Sequence, residues 1–196
     1  MAKRAGEKYA AILNAAVRVF SETGYHRAQV ARIAKEAGVA DGTVYLYFKN
    51  KEDILISLFQ EKMGEFIARI ENEISSVDSA PEKLFRIIQS HFTLLGENPA
   101  MARVTQIELR QADVKIAEGI HQSLKQYFRL IESIISEGQF RGELKPNLDV
   151  KLMRKMIFGT MDEVVTSWVM SKRQVELKSL SEQVFLLLSE GIISKK

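Results

Sequence analysis

The sequence predicts an all-α protein of about nine helices, with an N-terminal three-helix module followed by a larger helical bundle. Apolar residues recur three and four positions apart along the whole chain, whereas no stretch alternates apolar and polar residues as a half-buried strand does. Hydrophobic residues make up 46% of the chain, with only 11 glycines and 3 prolines, so the composition argues against disorder. We therefore expect a folded chain with a sizeable core.

Three short helices are predicted at the N-terminus, over residues 6–23, 28–37 and 43–48. The first has an apolar stripe at helical spacing, formed by Tyr9, Ile12, Leu13, Ala16, Val17 and Phe20. Gly24 and Gly38 follow the first two helices, at the position where a left-handed residue commonly ends a helix. Residues 39–42 are expected to connect the second helix to the third.

A long fourth helix is predicted to begin at residues 50–53, which cap and charge its start, and to run to Ser75. Such a helix is long enough to link two modules, and we place the predicted domains at residues 1–52 and 53–196. The remaining helices are predicted near residues 81–96, 99–111, 113–140, 149–171 and 177–193.

The charge distribution and the absence of cysteine limit the classes of function that this chain can have. Residues 1–51 carry nine Lys and Arg against four Asp and Glu, and this surplus predicts a polyanionic partner for the N-terminal module. The absence of cysteine excludes disulfides, thiolate zinc sites and cysteine nucleophiles. The charged start does not resemble a signal peptide, and no apolar segment is long enough for a membrane span. We expect a cytoplasmic protein without a membrane partner.

An enzyme is not expected, because the residues that carry catalysis are scattered. His26, His91 and His121 are isolated, no glycine-rich loop precedes a helix, and no acidic cluster has metal-ligand spacing. We predict no catalytic residues, no metal site and no cofactor, and we interpret a lone histidine as structural.

Residues 30–45 have the spacing of a DNA-binding helix-turn-helix. Small or branched side chains at Ile33, Ala34 and Ala37 allow close packing of the first helix on its partner. Gly38 accepts the left-handed conformation of the turn, and Val39 fills the gap between the two helices. The motif predicts that the third helix is held at a fixed angle for entry into the major groove.

The residues that follow resemble the signature of the TetR family of transcriptional regulators. In Thr43-Val44-Tyr45-Leu46-Tyr47-Phe48-Lys49-Asn50-Lys51-Glu52, a very short recognition helix ends in Tyr-x-Tyr-Phe and is followed by x-Asn-Lys-Glu. The motif covers about the first 60 residues, and the later helices agree with the nine-helix plan of that family. The resemblance implies a homodimeric repressor that binds double-stranded operator DNA and releases it when a small ligand enters the C-terminal bundle. It argues against a helical scaffold that binds only protein.

Base recognition is assigned to residues on the recognition helix and at the start of the second helix. Thr43 and Tyr45 are predicted to face the bases, with Gln29 assisting from the start of the second helix. Ala40 and Gly42 are small enough to let the helix enter the major groove.

Tyr47 and Lys51 are predicted to contact the DNA backbone, because a phenol and an ammonium at a helix start can both reach a phosphate. Phe48 and Leu46 are predicted to be packing residues. A solvated charge and a phosphate contact stay equally open for three further cations, Arg4, Arg27 and Lys49.

The ligand site is harder to predict, because a cavity and a packed core use the same residues. A stripe on the eighth helix contains Met153, Met156, Ile157, Met161, Val164 and Trp168, and it fits a ligand tunnel, a packed core or a dimer interface. Arg110 fits either a ligand contact or an ion pair with Glu108, Asp113 or Asp162. The predicted ligand contacts are Phe66, Phe92, Leu95, Ile107, Arg110, Phe128, Ile131, Ile157, Met161, Val164 and Trp168.

Within the TetR family, residues 39–59, 106–111 and 156–163 are similar to the fatty-acid-degradation repressors of Gram-positive bacteria. That resemblance implies repression of β-oxidation genes, relieved by long-chain acyl-coenzyme A as the effector. The alternative is a TetR-type repressor of an efflux or other operon that senses a different lipophilic molecule.

Homodimerisation is predicted from an apolar stripe close to the C-terminus, formed by Leu180, Val184, Leu187, Leu188 and Ile192. Two copies of the eighth and ninth helices would bury this stripe in a four-helix interface.

Overall fold

The structure is a computed structural model that describes residues 6–171 and 175–192, and its regular elements there are helices. The α-helices are α1 Glu7–Thr23, α2 Val30–Glu36, α3 Asp41–Tyr47, α4 Lys51–Ile74, α5 Ala80–Glu97, α6 Pro99–Glu108, α7 Val114–Phe140, α8 Val150–Met170 and α9 Ser181–Ile192. A 3₁₀ turn over Leu177–Leu180 precedes α9. The all-α prediction is confirmed.

Most predicted helices match the structure to within two or three residues, and the differences have local causes. Gln29 is the N-cap of α2 in an extended conformation, so that helix begins at Val30 rather than at residue 28. Asp41 already belongs to α3, because Ala40 is its N-cap. The last helix is shorter than predicted because the 3₁₀ turn occupies the four residues before Ser181.

The chain divides into two compact units, Met1–Gly64 with Ala100–Ser123 and Glu65–Pro99 with Leu124–Lys196. We call them the first and the second unit. The divisions fall inside α4, after the first residue of α6 and inside α7, so the long helices α4 and α7 each contribute extensively to both units. The domain limits predicted from the sequence stay a prediction.

The first unit has one hydrophobic core that combines the three N-terminal helices with parts of α4, α6 and α7. Ile12 and Phe20 of α1, Val44 of α3 and Leu55 of α4 are essentially inaccessible to solvent within it. Gly119 on α7 allows close packing against α4, because a Cβ there would lie only 2.8 Å from Ile56 Cδ1.

In the second unit α5 packs against α8, α9 and the 3₁₀ turn. Its buried face repeats at helical spacing through Leu84, Ile87, Ile88, His91, Phe92 and Leu95. His91 thus occupies a core position on α5.

Candidate functional site

Helices α2 and α3 form a helix-turn-helix whose turn depends on Gly38. Its φ of +68° lies in the left-handed region, which glycine adopts with least strain. The turn is closed by hydrogen bonds from Gly38 N–H to the Lys35 carbonyl at 3.1 Å and from Val39 N–H to the Ala34 carbonyl at 3.0 Å. Ile33 and Ala34 are buried, and Val39 packs against the same core. The predicted helix-turn-helix is confirmed.

The face predicted to read bases is accessible to solvent. Tyr45 on α3 is 56% exposed, which leaves its side chain available to a partner. Gln29, also predicted to face the bases, is exposed, and Thr43 is half-buried. The two small residues predicted to let the helix enter the groove, Ala40 and Gly42, are exposed as well. Their roles in DNA recognition stay predictions.

Apolar side chains at the C-terminal end of α3 point in two directions, toward the core and toward solvent. Phe48 is buried and stacks on Tyr9 with ring centroids 5.1 Å apart, as predicted for a packing residue. Tyr47 is half-buried, and its ring lies 6.3 Å from that of Tyr9. The prediction that Leu46 packs is wrong. Leu46 is 61% exposed, because Val44 and Phe48 fill the side of this short helix that faces the core.

Lys51 has a structural role that the sequence analysis missed. Its ammonium donates to three backbone carbonyls in the turn between α1 and α2, those of Tyr25 at 2.7 Å and of His26 and Ala28 at 3.0 Å each. The ammonium also lies 4.6 Å from the centre of the Tyr25 ring. Burial lowers the pKa of Lys51, and the nearby Glu108 carboxylate opposes that shift. A phosphate contact by Lys51 stays a prediction. Such a contact would have to form while the ammonium also donates these three hydrogen bonds.

The start of α4 is capped as the sequence predicts. Asn50 Oδ1 accepts a hydrogen bond from the Asp53 N–H at 2.8 Å, and Asp53 Oδ2 accepts one from the Lys49 N–H at 3.0 Å. Two otherwise unpaired backbone donors are thereby satisfied. The cap places Lys51 in the first turn of α4, beside the turn that it holds.

Glu108 at the end of α6 is buried and holds the same α1–α2 turn from another side. Its carboxylate accepts a hydrogen bond from the Tyr25 N–H at 3.0 Å and another from the Gln111 side chain. Arg110 donates to the Gln106 carbonyl at 2.8 Å. Glu108 is therefore occupied by the α1–α2 turn and Gln111, and Arg110 is exposed to solvent.

A pocket of about 380 Å³ in the first unit is lined by the α1–α2 turn and the end of α6, with Arg27, Ile107 and Arg110 among its residues. Ile107 and Arg110 were predicted to contact the ligand together with nine residues that belong to the second unit. The structure therefore does not gather all eleven predicted contacts into one unit.

The nine other predicted contacts lie in or beside the core of the second unit. Six are buried, namely Phe92, Leu95, Ile131, Ile157, Met161 and Trp168, and three are half-buried, namely Phe66, Phe128 and Val164. Met156 does not belong to the buried stripe of α8, because it is exposed and Val165 is buried in the stripe.

A second pocket, of about 460 Å³, lies in the second unit among α5, α8 and the 3₁₀ turn. Phe92 and Trp168 line it with Gly96, Leu177 and Lys178 among others. The Trp168 indole donates to the Val175 carbonyl at 2.8 Å, which fixes one wall. Its volume is in the range of small-molecule sites.

His91 and Tyr127 form a buried polar pair in the second unit that the sequence analysis did not find. The Nδ1 atom of His91 lies 3.2 Å from the Tyr127 hydroxyl. Burial lowers the pKa of His91 to about 4 and raises the pKa of Tyr127 well above its usual range, so both groups are uncharged near neutral pH. The only sequence signal was the position of His91 in the apolar repeat of α5.

The predicted dimer stripe is partly used within the chain itself. Val184 is buried, Leu180 and Leu188 are half-buried, and Leu187 is 78% exposed. Leu180 belongs to the 3₁₀ turn rather than to the last helix, and the side chain of Ile192 lies outside the described residues. Further exposed apolar residues occur on α8 and α9: Leu152, Met156, Met170 and Leu186.

Within the described residues, no helix is long and apolar enough to cross a membrane. No group of three or more His, Cys, Asp or Glu side chains is placed to hold a metal ion in that part of the chain.

Comparison with known proteins gives two family matches and several similar structures. The model for bacterial regulatory proteins of the tetR family matches residues 12–58, and the model for the C-terminal region of YsiA-like proteins matches residues 59–191. The fatty acid metabolism regulator protein of Bacillus subtilis (strain 168) is 52% identical over 98% of this chain and 100% of its own length.

Two solved structures of similar proteins share the fold. The transcriptional regulator FadR from Bacillus subtilis, in complex with stearoyl-CoA, has 53% identity and a TM-score of 0.91. The fatty acid degradation regulator FadR from Bacillus halodurans has 49% identity and a TM-score of 0.90. Both alignments cover 93% of this chain and 98% of the other.

Replacing Lys51 by Met should destabilise the first unit, because the ammonium is lost while most of the side-chain stem is kept. Three charge-assisted hydrogen bonds disappear, and we expect the free energy of unfolding to fall by about 2 kcal/mol. Denaturant unfolding measures this, with Lys49→Met at an exposed position as the control. Unchanged stability together with a flatter salt dependence of DNA binding would show that Lys51 acts as a phosphate contact instead.

Acid should destabilise the second unit through His91. The unfolded chain protonates this histidine near pH 6.5 and the folded chain only near pH 4. The unfolding free energy therefore falls as the pH drops between these values, by about 3 kcal/mol from this group, and changes no further below them. His91→Phe should lose this part of the pH dependence, whereas His121→Phe, at an exposed position, should keep it. Equal pH profiles for wild type and His91→Phe would contradict the assignment.

Proposed function

Because the chain belongs to the TetR family of bacterial regulatory proteins, we propose that it is a ligand-responsive transcriptional repressor of fatty acid degradation genes. It binds operator DNA as a homodimer and is released by long-chain acyl-coenzyme A. The observation that carries this proposal is the near full-length similarity to a fatty acid metabolism regulator and to a FadR structure that contains stearoyl-CoA.

The first unit supplies the DNA-binding surface. The short α3 follows the turn at Gly38 and has Gly42 and Tyr45 on its accessible side, while Lys51 holds the α1–α2 turn that leads into the helix-turn-helix. Base contacts are assigned to Gln29, Thr43 and Tyr45, and a backbone contact to Tyr47. Leu46, exposed beside Tyr45, offers an additional apolar contact for a thymine methyl group.

The second unit supplies the apolar environment for the acyl chain. Its buried aromatic and aliphatic side chains suit a long hydrocarbon, and a pocket bounded by Phe92 and Trp168 with polar residues on its rim adjoins them. Arg110 belongs to the first unit and stays a predicted ligand contact, because an exposed guanidinium is well suited to an anionic group. The effector is a regulatory ligand that the protein does not convert, so the chain is not an enzyme, and we place it in the cytoplasm.

Induction is assigned to the two helices that contribute to both units, α4 and α7. An effector that binds the DNA-competent and the released conformations with different affinity shifts the population between them. A tilt of α4 would be transmitted through Lys51 to the α1–α2 turn, and hence to the spacing of the two recognition helices in the dimer.

Operator complexes should dissociate when long-chain acyl-coenzyme A is added. The operator is first selected in vitro from random duplexes, and fluorescence anisotropy then follows release by stearoyl-CoA, stearate and coenzyme A separately. We expect release by stearoyl-CoA only, because a site that reads both halves of the ligand needs both. Release by none of them, at concentrations that saturate the free protein, would contradict the proposal and favour a sensor of another lipophilic compound.

Replacing Leu187 by Glu should abolish operator binding without unfolding the first unit. The side chain is exposed in the single chain, so the substitution harms the protein only if a second copy covers this face. Sedimentation equilibrium should give a dimer for the wild type and a monomer for the variant, since a charge would be buried without a partner. Lys125→Glu, at an exposed position on α7, serves as the charge control. A monomeric wild type at micromolar concentration would refute the dimer.

A further inference from the structure

His91 presents an unused hydrogen-bond donor inside the second unit. Its Nε2 atom is buried and has no hydrogen-bond partner among the described residues. A buried nitrogen without a partner is costly, and most such groups in folded proteins are paired. The position of this nitrogen therefore points to a partner that arrives with a ligand.

The chemistry of that missing partner follows from the tautomer of His91. If the Tyr127 hydroxyl donates to Nδ1, the single group left unpaired is the Nε2–H donor. If Nδ1 carried the proton and donated to Tyr127, both the phenolic O–H and the Nε2 lone pair would lack partners. The first arrangement leaves fewer buried groups unsatisfied, so Nε2–H is a donor that requires an acceptor.

The surroundings of His91 favour an uncharged acceptor. The rings of Phe66, Phe92 and Phe158 contact the imidazole edge-to-face, and Tyr127 stacks on it. None of these four side chains is charged at neutral pH. Among these four rings a carboxylate would lose its hydration with no charge on them to compensate it, whereas a carbonyl oxygen loses far less.

The geometry points to His91 as the residue that recognises the carbonyl oxygen of the acyl thioester, with Nε2–H as donor and Tyr127 as the positioning residue that fixes the tautomer. This inference rests on the proposed function, in which the effector is an acyl-coenzyme A. It adds a specificity determinant: the thioester is distinguished from the free acid by one neutral donor in an aromatic environment. Phe66 and Phe158, both half-buried, would border the first carbons of the acyl chain.

Two ligands that differ only in this oxygen test the inference. Stearoyl-CoA has the carbonyl, and the S-octadecyl thioether of coenzyme A lacks it. Isothermal titration calorimetry gives the ratio of their affinities for each protein variant. We expect wild type to bind stearoyl-CoA at least about tenfold more tightly than the thioether, because one buried hydrogen bond is gained.

Two substitutions of His91 distinguish the roles of its two ring nitrogens. The amide of His91→Asn reaches the Nδ1 position only, and that of His91→Gln reaches the Nε2 position. His91→Asn should lower the affinity ratio to about one, whereas His91→Gln should keep much of it. His121→Asn, at an exposed position, should behave as wild type. A merely structural role for His91 would weaken both ligands equally and leave the ratio unchanged.

Each outcome separates the inference from the proposed function. If wild type binds neither ligand, the proposed acyl-coenzyme A response fails and this inference with it. If wild type binds both equally, or His91→Asn keeps the wild-type ratio, only the role of His91 is overturned. Should the variants not fold, ¹⁵N spectra of histidine-labelled wild type decide the question. The Nε2–H resonance must be present and must shift with stearoyl-CoA but not with the thioether, and its absence or equal shifts would overturn the inference.

Discussion

The DNA-binding surface depends on three hydrogen bonds that the Lys51 ammonium donates to the α1–α2 turn. They join the first turn of α4 to the chain segment that leads into the helix-turn-helix. Glu108 holds the neighbouring Tyr25 N–H from the end of α6, so one short turn is fixed by a cation and an anion from two other helices. A charged side chain that donates to several carbonyls at once gives a rigid connection, and a recognition helix needs a rigid connection to keep its angle.

The second unit contrasts with the first, because burial there keeps a polar pair uncharged. Its core is largely apolar, and the His91–Tyr127 pair is kept uncharged by its surroundings. In such an environment a single neutral donor discriminates strongly between ligands, because a mismatched acceptor has no solvent to compensate it. The first unit therefore uses a charged side chain to hold a turn, whereas the second keeps the His91–Tyr127 pair uncharged within an apolar core.

Much of the fold could be predicted from the sequence, because helical spacing and stop signals are local properties. The apolar stripe of α1, Gly38 in the turn and the cap at Asn50 needed no knowledge of distant contacts. Predictions failed where the outcome depended on packing between distant residues. Leu46 proved exposed, and the connection of Lys51 to residues 25–28 and the pairing of His91 with Tyr127, 36 residues apart, left no local signal. The ligand site shares this difficulty, because core residues and cavity residues have the same composition.

Effector and operator are proposed to compete through one conformational equilibrium, and thermodynamic linkage relates their two affinities quantitatively. Calorimetric titration of stearoyl-CoA into the free dimer and into the dimer saturated with operator DNA measures it directly. We expect operator to weaken stearoyl-CoA binding by the same factor by which stearoyl-CoA weakens operator binding. Identical stearoyl-CoA affinities with and without operator would contradict it.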